Sequence, residues 1–371
     1  MSERGSATLR TLDRYAGIPV VRAAGVVRRK RTPPEEIRRI GILKAYAIGD
    51  TVLLSAIVRD LATALPEAEI VFFSGLDNAT TAELIEGVSD VVSVPISRPW
   101  LTVRRLRQTR VDVLLDFGAW PRVEALETAL SGARYTVGFR TPGQFRHYAY
   151  DAAVPHSGDV HELENYRRIL EPIGVESTSL PRLEPPGEVA PDRLPEGDYV
   201  VFHLWPGGYR SELKEWPLDR WRALAEALTA RGLAVVLTGG RADVARSEAL
   251  AGDCGSLRRP VVSAAGRFTI REVLDILARS RGVVSVNTGT MHLAAAVGAP
   301  TVALNGPTAE PRWGPLGERS RSVNSTYEGC GFLDLGSEYD GRREDCMLGI
   351  SVEQVLDATQ TLLGFPAPEP A

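Results

Sequence analysis

The sequence is poor in lysine: of 43 Lys and Arg side chains only three, Lys30, Lys44 and Lys214, are lysine. Wherever a plain positive charge suffices, this chain uses arginine. Cysteine is equally scarce, with three residues, Cys254, Cys330 and Cys346, none in a CxxC pattern. So few scattered thiols exclude a disulfide framework or a zinc ribbon, and reduced thiols are the expectation; a late bridge or metal clip across Cys330 and Cys346 is the alternative. No apolar run approaches the roughly 20 residues a membrane span needs, and no signal-peptide pattern opens the chain, so a cytoplasmic location is expected. Neither half carries GxGxxG after its first strand, which leaves a dinucleotide site without its fingerprint.

What is present describes an ordinary globular chain of 371 residues, 44% hydrophobic and 24% charged, long enough for two cores. The net charge of −4 hides an asymmetry, because residues 1–40 carry ten basic and four acidic side chains. The remainder is therefore acidic, which argues against nucleic-acid binding. The basic leader, "LDRYAGIPVVRAAGVVRRKR", reads in two ways: peripheral at an anionic membrane surface, or packed on its own protein.

From residue 38 short apolar runs alternate with amphipathic helices: "RIGILKAY", "AEIVFFSG", "DVVSVPI" and "VDVLLDFG", then, after a Pro- and Gly-rich stretch at 181–197, "YVVFHLW", "LAVVLTGG", "GVVSVNTG" and "PTVALNG". This is the grammar of parallel sheets covered on both faces, written twice. The expected division is a leader (1–37), a first Rossmann-like domain (38–185), a second (198–357) and a tail (358–371).

Chemistry concentrates where strands end. After the first strand, Gly49 and Asp50 fall in the turn into a helix, where Asp50 is either an N-cap or a base at the carboxyl edge of the sheet. Lys44 on that strand reads as a snorkelling side chain. In "HLWPGGYRSELKEWP", Gly207 and Gly208 expose backbone N–H groups and Lys214 adds a compact ammonium, which together make an anion cradle. In "VNTGTMHLAAAVG", Asn287 ends a strand and Thr288, Gly289 and Thr290 open a helix whose N–H groups suit a phosphate; His292 in its first turn is either a ligand or a packing residue. Asp243, after Gly239-Gly240, either meets ribose hydroxyls or caps its helix. Arg122, Arg140, Arg146 and His161 form a candidate cationic pocket for an acceptor, with Gly49 beside it.

"GDTVLLSAIVRDL", "KEWPLDRWRAL" and "VNTGTMHLAAAVGAPTVALNGPT", in that order and spacing, resemble glycosyltransferase family 9, the heptosyltransferase family, over nearly all of 38–357. The resemblance implies an α/β chain of GT-B fold, two doubly wound domains facing each other across a cleft. It implies inverting transfer of a sugar, typically a heptose from an ADP-sugar, to an acceptor hydroxyl of lipopolysaccharide core or of a small sugar-containing metabolite. Asp50 matches the family's catalytic aspartate, Lys214 the lysine that meets the donor phosphates, and Thr288, Gly289 and His292 the diphosphate motif. Asn287 departs from the more frequent Asp. No resident cofactor is implied beyond the nucleotide-sugar co-substrate, and with no DxD-like pair in place metal independence is expected. A nucleotide-sugar epimerase of similar architecture and a non-catalytic nucleotide-sugar sensor are the alternatives.

Overall fold

The computed structural model describes residues 13, 15, 17–27, 29–95, 97–190, 193–334 and 338–365. The chain divides into two compact units, Met1–Pro181 and Arg182–Ala371. The rest of the amino-terminal leader and the last residues of the expected tail lie outside the described set.

Unit 1 opens with helix α1 (Gly17–Val27), followed by β1 (Arg39–Lys44), α2 (Ile48–Ala64), β2 (Glu69–Ser74), α3 (Ala79–Glu83), β3 (Asp90–Ser93), α4 (Pro99–Thr109), β4 (Val113–Asp116), α5 (Arg122–Leu130), β5 (Tyr135–Arg140), β6 (Ala152–Pro155) and α6 (Glu162–Arg168). The six strands form one parallel sheet in the order β3-β2-β1-β4-β5-β6. Its strands are apolar runs because helices cover both faces: Ile40, Ile42 and Leu43 of β1 and Phe72 and Phe73 of β2 are buried. Asn78, fully buried, ties three elements together, donating to Lys44 O (2.9 Å) and Thr51 Oγ1 (2.8 Å) and accepting from Gly75 N (2.9 Å). Gly75 is required at this crossing, since a Cβ there would lie 1.9 Å from Ala45 O.

The described part of the leader is built into unit 1. Val21 of α1 is fully buried in a cluster with Ala125, Ala149 and Tyr150. Asp13 Oδ1 accepts from the backbone N–H of Arg122 (2.9 Å) and Val123 (3.2 Å), and Oδ2 pairs with Arg122 Nη1 at 2.8 Å.

Unit 2 runs β7 (Tyr199–His203), α7 (Leu218–Thr229), β8 (Ala234–Thr238), α8 (Val244–Asp253), β9 (Val261–Ser263), α9 (Ile270–Arg279), β10 (Gly282–Val286), α10 (Gly289–Ala296), β11 (Thr301–Asn305), α11 (Glu310–Trp313), β12 (Ser320–Asn324) and α12 (Val352–Leu363). Its parallel sheet has the order β12-β11-β10-β7-β8-β9. The Trp-Pro pair ahead of α7 anchors the core. Trp216 packs edge-on against Trp221 with centroids 5.1 Å apart and donates its indole N–H to Ile350 O at 2.9 Å. Asp275 of α9, buried, gathers the backbone N–H groups of Gly187 (2.7 Å), Glu188 and Val189 (2.9 Å) and so fastens the Pro-rich stretch to this unit. The last helix, opened by a Ser351/Gln354 capping box, runs past residue 357 into the stretch expected as a tail.

The α/β expectation of two doubly wound domains is met. The thiol expectation is corrected: Cys330 and Cys346 form a disulfide with Cα atoms 5.7 Å apart, and Cys254 is free and buried. The sequence shows the separation of the two cysteines, but not that the chain folds back to bring them together.

Candidate active site

In open α/β sheets ligands gather at the carboxyl edge where the strand order reverses. In unit 1 that point lies between β1 and β4, and in unit 2 between β7 and β10.

At the unit 1 point, Lys44 ends β1 and Asp50 stands in the first turn of α2. The N-cap expectation for Asp50 is corrected: Ala47 holds that position without a side-chain bond, at φ 74°, and the helix begins two residues before Asp50. A left-handed alanine costs on the order of 1–3 kcal/mol. The turn is held by Thr51, whose N–H (3.0 Å) and hydroxyl (2.9 Å) both donate to Ala47 O. Lys44 does not snorkel. It is 4% exposed, and its Nζ pairs with Asp50 Oδ2 at 2.9 Å, donates to Phe117 O at 3.2 Å and lies 5.3 and 5.5 Å from the ring centroids of Tyr46 and Tyr166. A buried ammonium is tolerated only when its donors are met in this way.

The Phe117–Gly118 peptide continues the chain inward. Its carbonyl accepts a hydrogen bond from Lys44 Nζ, and its N–H donates to Asp116 Oδ1 at 2.8 Å. Asp116 Oδ2 in turn accepts from Tyr150 OH (2.6 Å) and Arg146 Nη2 (2.7 Å), all fully buried. Such chains polarise one another in a low-dielectric interior. Glu124 and Glu127 of α5 crowd the same space. Burial first, then the Asp116 charge, pushes Glu124 up to about 7; burial, then Glu124 and Asp116, pushes Glu127 up to about 9. Gly118 admits no side chain, for a Cβ would lie 2.1 Å from Glu124 Oε2.

At the unit 2 point, Thr288 is the extended N-cap of α10, makes no capping bond, and its buried Oγ1 has no partner. It stands beside the helix's first amides, which have no intrahelical acceptor. Thr290 differs, because its hydroxyl meets His203 Nε2 at 3.2 Å, while His203 Nδ1 meets Thr238 Oγ1 at 2.9 Å. Burial lowers His203 to about 4, so the ring is neutral. Asn287 serves the scaffold: its Nδ2 donates to Asn305 Oδ1 (2.8 Å) and Trp313 O (2.9 Å), and Asn305 donates to Asn324 Oδ1 (3.0 Å), an asparagine ladder across β10, β11 and β12. Gly289 begins α10, and His292, in its first turn, is buried.

The glycine loop leaves β7 through Gly207 and Gly208, both exposed, the latter at φ 100°. Lys214 ends a 3₁₀ turn (Ser211–Lys214) and donates to Gly207 O at 2.9 Å, which closes the loop. The disulfide-closed segment braces it: Tyr339 lies 6.0 Å from Tyr209 centroid to centroid, and Glu344 pairs with Arg210 at 2.6 Å. Asp243 Oδ2 accepts from Gly240 N at 2.8 Å and shapes the turn after β8.

The acceptor candidates are dispersed within unit 1. Arg122 and Arg146 are buried struts, held by Asp13 and Asp116, rather than an open cationic lining. His161 is the N-cap of α6, its Nδ1 accepting from Leu163 N at 3.1 Å; Arg140 is exposed at the end of β5, and Gly49 precedes Asp50 in α2. The residues that sequence reasoning passed over are Asp116, Glu124, His203 and Thr238. His203 ends a strand in the glycine-loop motif, which was the one available signal.

Two doubly wound α/β domains, each with a switch point at the carboxyl edge of its parallel sheet, are the architecture of the GT-B class. The profile of glycosyltransferase family 9 (heptosyltransferase) matches residues 102–332, and the chain belongs to that family. Lipopolysaccharide heptosyltransferase 1 of Pseudomonas aeruginosa is 27% identical over 333 residues, 83% of this chain and 89% of that protein. Lipooligosaccharide heptosyltransferase 2 of Haemophilus influenzae is 30% identical over 168 residues, 45% of this chain and 48% of that protein, so the chain spans about half the length of this relative. Among solved structures, Escherichia coli heptosyltransferase WaaC with ADP aligns at TM-score 0.70 and 19% identity, over 87% of this chain and 99% of that one.

Proposed function

We propose that this protein transfers a heptose from ADP-heptose to a sugar hydroxyl of lipopolysaccharide core, with inversion at the anomeric carbon. The reading is supported by the family, by relatives whose names are those of lipopolysaccharide heptosyltransferases, and by the solved relatives bound to ADP and to ADP-2-deoxy-2-fluoro heptose. The observation that carries it is the Lys44–Asp50 pair, a carboxylate oriented at the edge of its sheet where a proton acceptor is needed.

In this scheme the acceptor hydroxyl attacks the anomeric carbon, its proton passes to Asp50, and the bond from that carbon to the diphosphate breaks with the electron pair leaving on ADP. Attack opposite the leaving group needs a single base, as in an inverting hydrolase. Lys44 and Thr51 hold the first turn of α2 so that Asp50 stays in place. The departing charge meets the first amides of α10, the Thr288 hydroxyl and Lys214. Gly207 and Gly208 give the diphosphate room, and Asp243 and His292 line the nucleotide side. Arg140, His161 and Gly49 are proposed on the acceptor side. The leader is read as part of unit 1, since α1 buries Val21 there. Transfer is favoured over epimerisation or sensing because the family is one of transferases.

Thermal shift with ADP, UDP and dTDP tests the donor, because a ligand that binds the folded state raises Tm. ADP is expected to give the largest shift, and Asp50→Asn to keep it while transfer from ADP-heptose falls by about 10²–10⁴. Full turnover in that variant removes Asp50 from the mechanism; a preference for UDP removes the ADP-sugar.

A further inference from the structure

Helix α4 carries a surface that the transfer reaction does not use. Trp100 is 70% exposed at its first turn, and Arg104, Arg107 and Gln108 follow at the spacing of one helical face, with exposed Arg98 and Arg110 at the two ends. The opposite face buries Thr102 and Leu106. Between Val91 and Val111 there is no Asp or Glu, on a protein whose net charge is −4. Trp100, Val103, Arg104, Arg107, Gln108 and Arg110 line a shallow hollow of about 560 Å³.

We propose that this face of α4 docks on an anionic lipid surface, Trp100 seating at the headgroup level and the arginine stripe taking lipid phosphates. Charge complementarity selects the occupant. An unneutralised row of guanidiniums on an acidic protein fits a planar array of phosphates, which guanidinium forks grip in bidentate fashion. An exposed indole, apolar with one N–H donor, is the side chain that prefers the interface between water and hydrocarbon. Because α4 follows β3, its amino end and Trp100 lie at the carboxyl edge of the unit 1 sheet, the edge that also carries Asp50. A docked α4 would therefore hold that edge beside the bilayer in which a lipid-anchored acceptor sits. That last link rests on the proposed function; the binding itself does not.

The test uses the full chain and sedimentation with phosphatidylcholine vesicles, with and without phosphatidylglycerol. Binding is expected only to the phosphatidylglycerol-containing vesicles and should weaken as salt rises. Trp100→Ser with Arg98→Gln and Arg104→Gln is expected to lower partition by about 30-fold or more from the two arginines alone, with Tm unchanged because all three side chains are exposed. Val20→Ser with Val26→Ser on the leader is expected to leave partition unaltered. Equal binding to uncharged vesicles, wild-type binding by the triple variant, loss of binding only in the leader variant, or salt-sensitive binding to an oligonucleotide with none to vesicles would each overturn the proposal. Since partition is read without turnover, its failure is distinguishable from failure of the ADP or Asp50 experiments.

Discussion

Replacing Glu127 by Gln should stabilise the protein, and by an amount that grows with pH. Glu127 is 5% exposed on α5, its Oε1 has no partner, and burial with the nearby Glu124 and Asp116 charges pushes its carboxyl up to about 9 from an ordinary 4.5. Between those values the folded chain keeps a proton that the unfolded chain has lost. The stability held by that proton is complete below about pH 4.5 and drains away as pH rises toward 9. At 1.36 kcal/mol per unit, the deficit at pH 7 is about 3 kcal/mol, and at pH 5 it is under about 1 kcal/mol. Glutamine is neutral throughout and removes the deficit. For a domain of this size 1 kcal/mol moves Tm by about 2–4 °C, so Glu127→Gln should gain roughly 6–12 °C at pH 7 and about 1–3 °C at pH 5 in scanning fluorimetry. A gain independent of pH, or a loss at pH 7, would refute the charge argument and with it the crowding assigned to Asp116, Glu124 and Arg146.

Thr288→Val should split two readouts, because the hydroxyl it deletes is buried and unpartnered in the free protein. Stability should hold or rise, while ADP affinity falls about 10-fold or more through loss of a hydrogen bond to a charged group; lower stability with unchanged affinity would reverse the assignment. Reducing the Cys330–Cys346 bridge, or replacing both cysteines by Ser, should destabilise unit 2 by about 3 kcal/mol, as expected for a loop of this size. It should also weaken ADP binding, since Tyr339 and Glu344 would no longer brace Tyr209 and Arg210; calorimetric titration with and without reductant that shows equal affinities would detach the bridge from the loop.

The β1–α2 and β10–α10 junctions were legible because an apolar run gives way to a helical period across small residues, a local signal. Strands β6, β9 and β12 were not, because they are edge or near-edge strands of three to five residues, and Ser320–Asn324 offers only one buried side chain. The setting of Asp50 escaped because nothing in an alanine announces a positive φ at Ala47. Arg122 and Arg146 read as part of an open cationic acceptor pocket since Asp13 and Asp116, which draw them inside, lie 109 and 30 residues away. His203, Thr238 and Thr290 belong to three different strand-to-helix junctions and meet only through sheet register, which a linear reading does not supply.

Helix α5 opens behind Pro121, which has no side-chain acceptor to offer, and Asp13 supplies the missing one from more than a hundred residues upstream. Removing Asp13 would therefore strip an end-piece from the very helix that bears Glu124 and Glu127. The described part of the leader thus finishes a helix end that the local sequence leaves open.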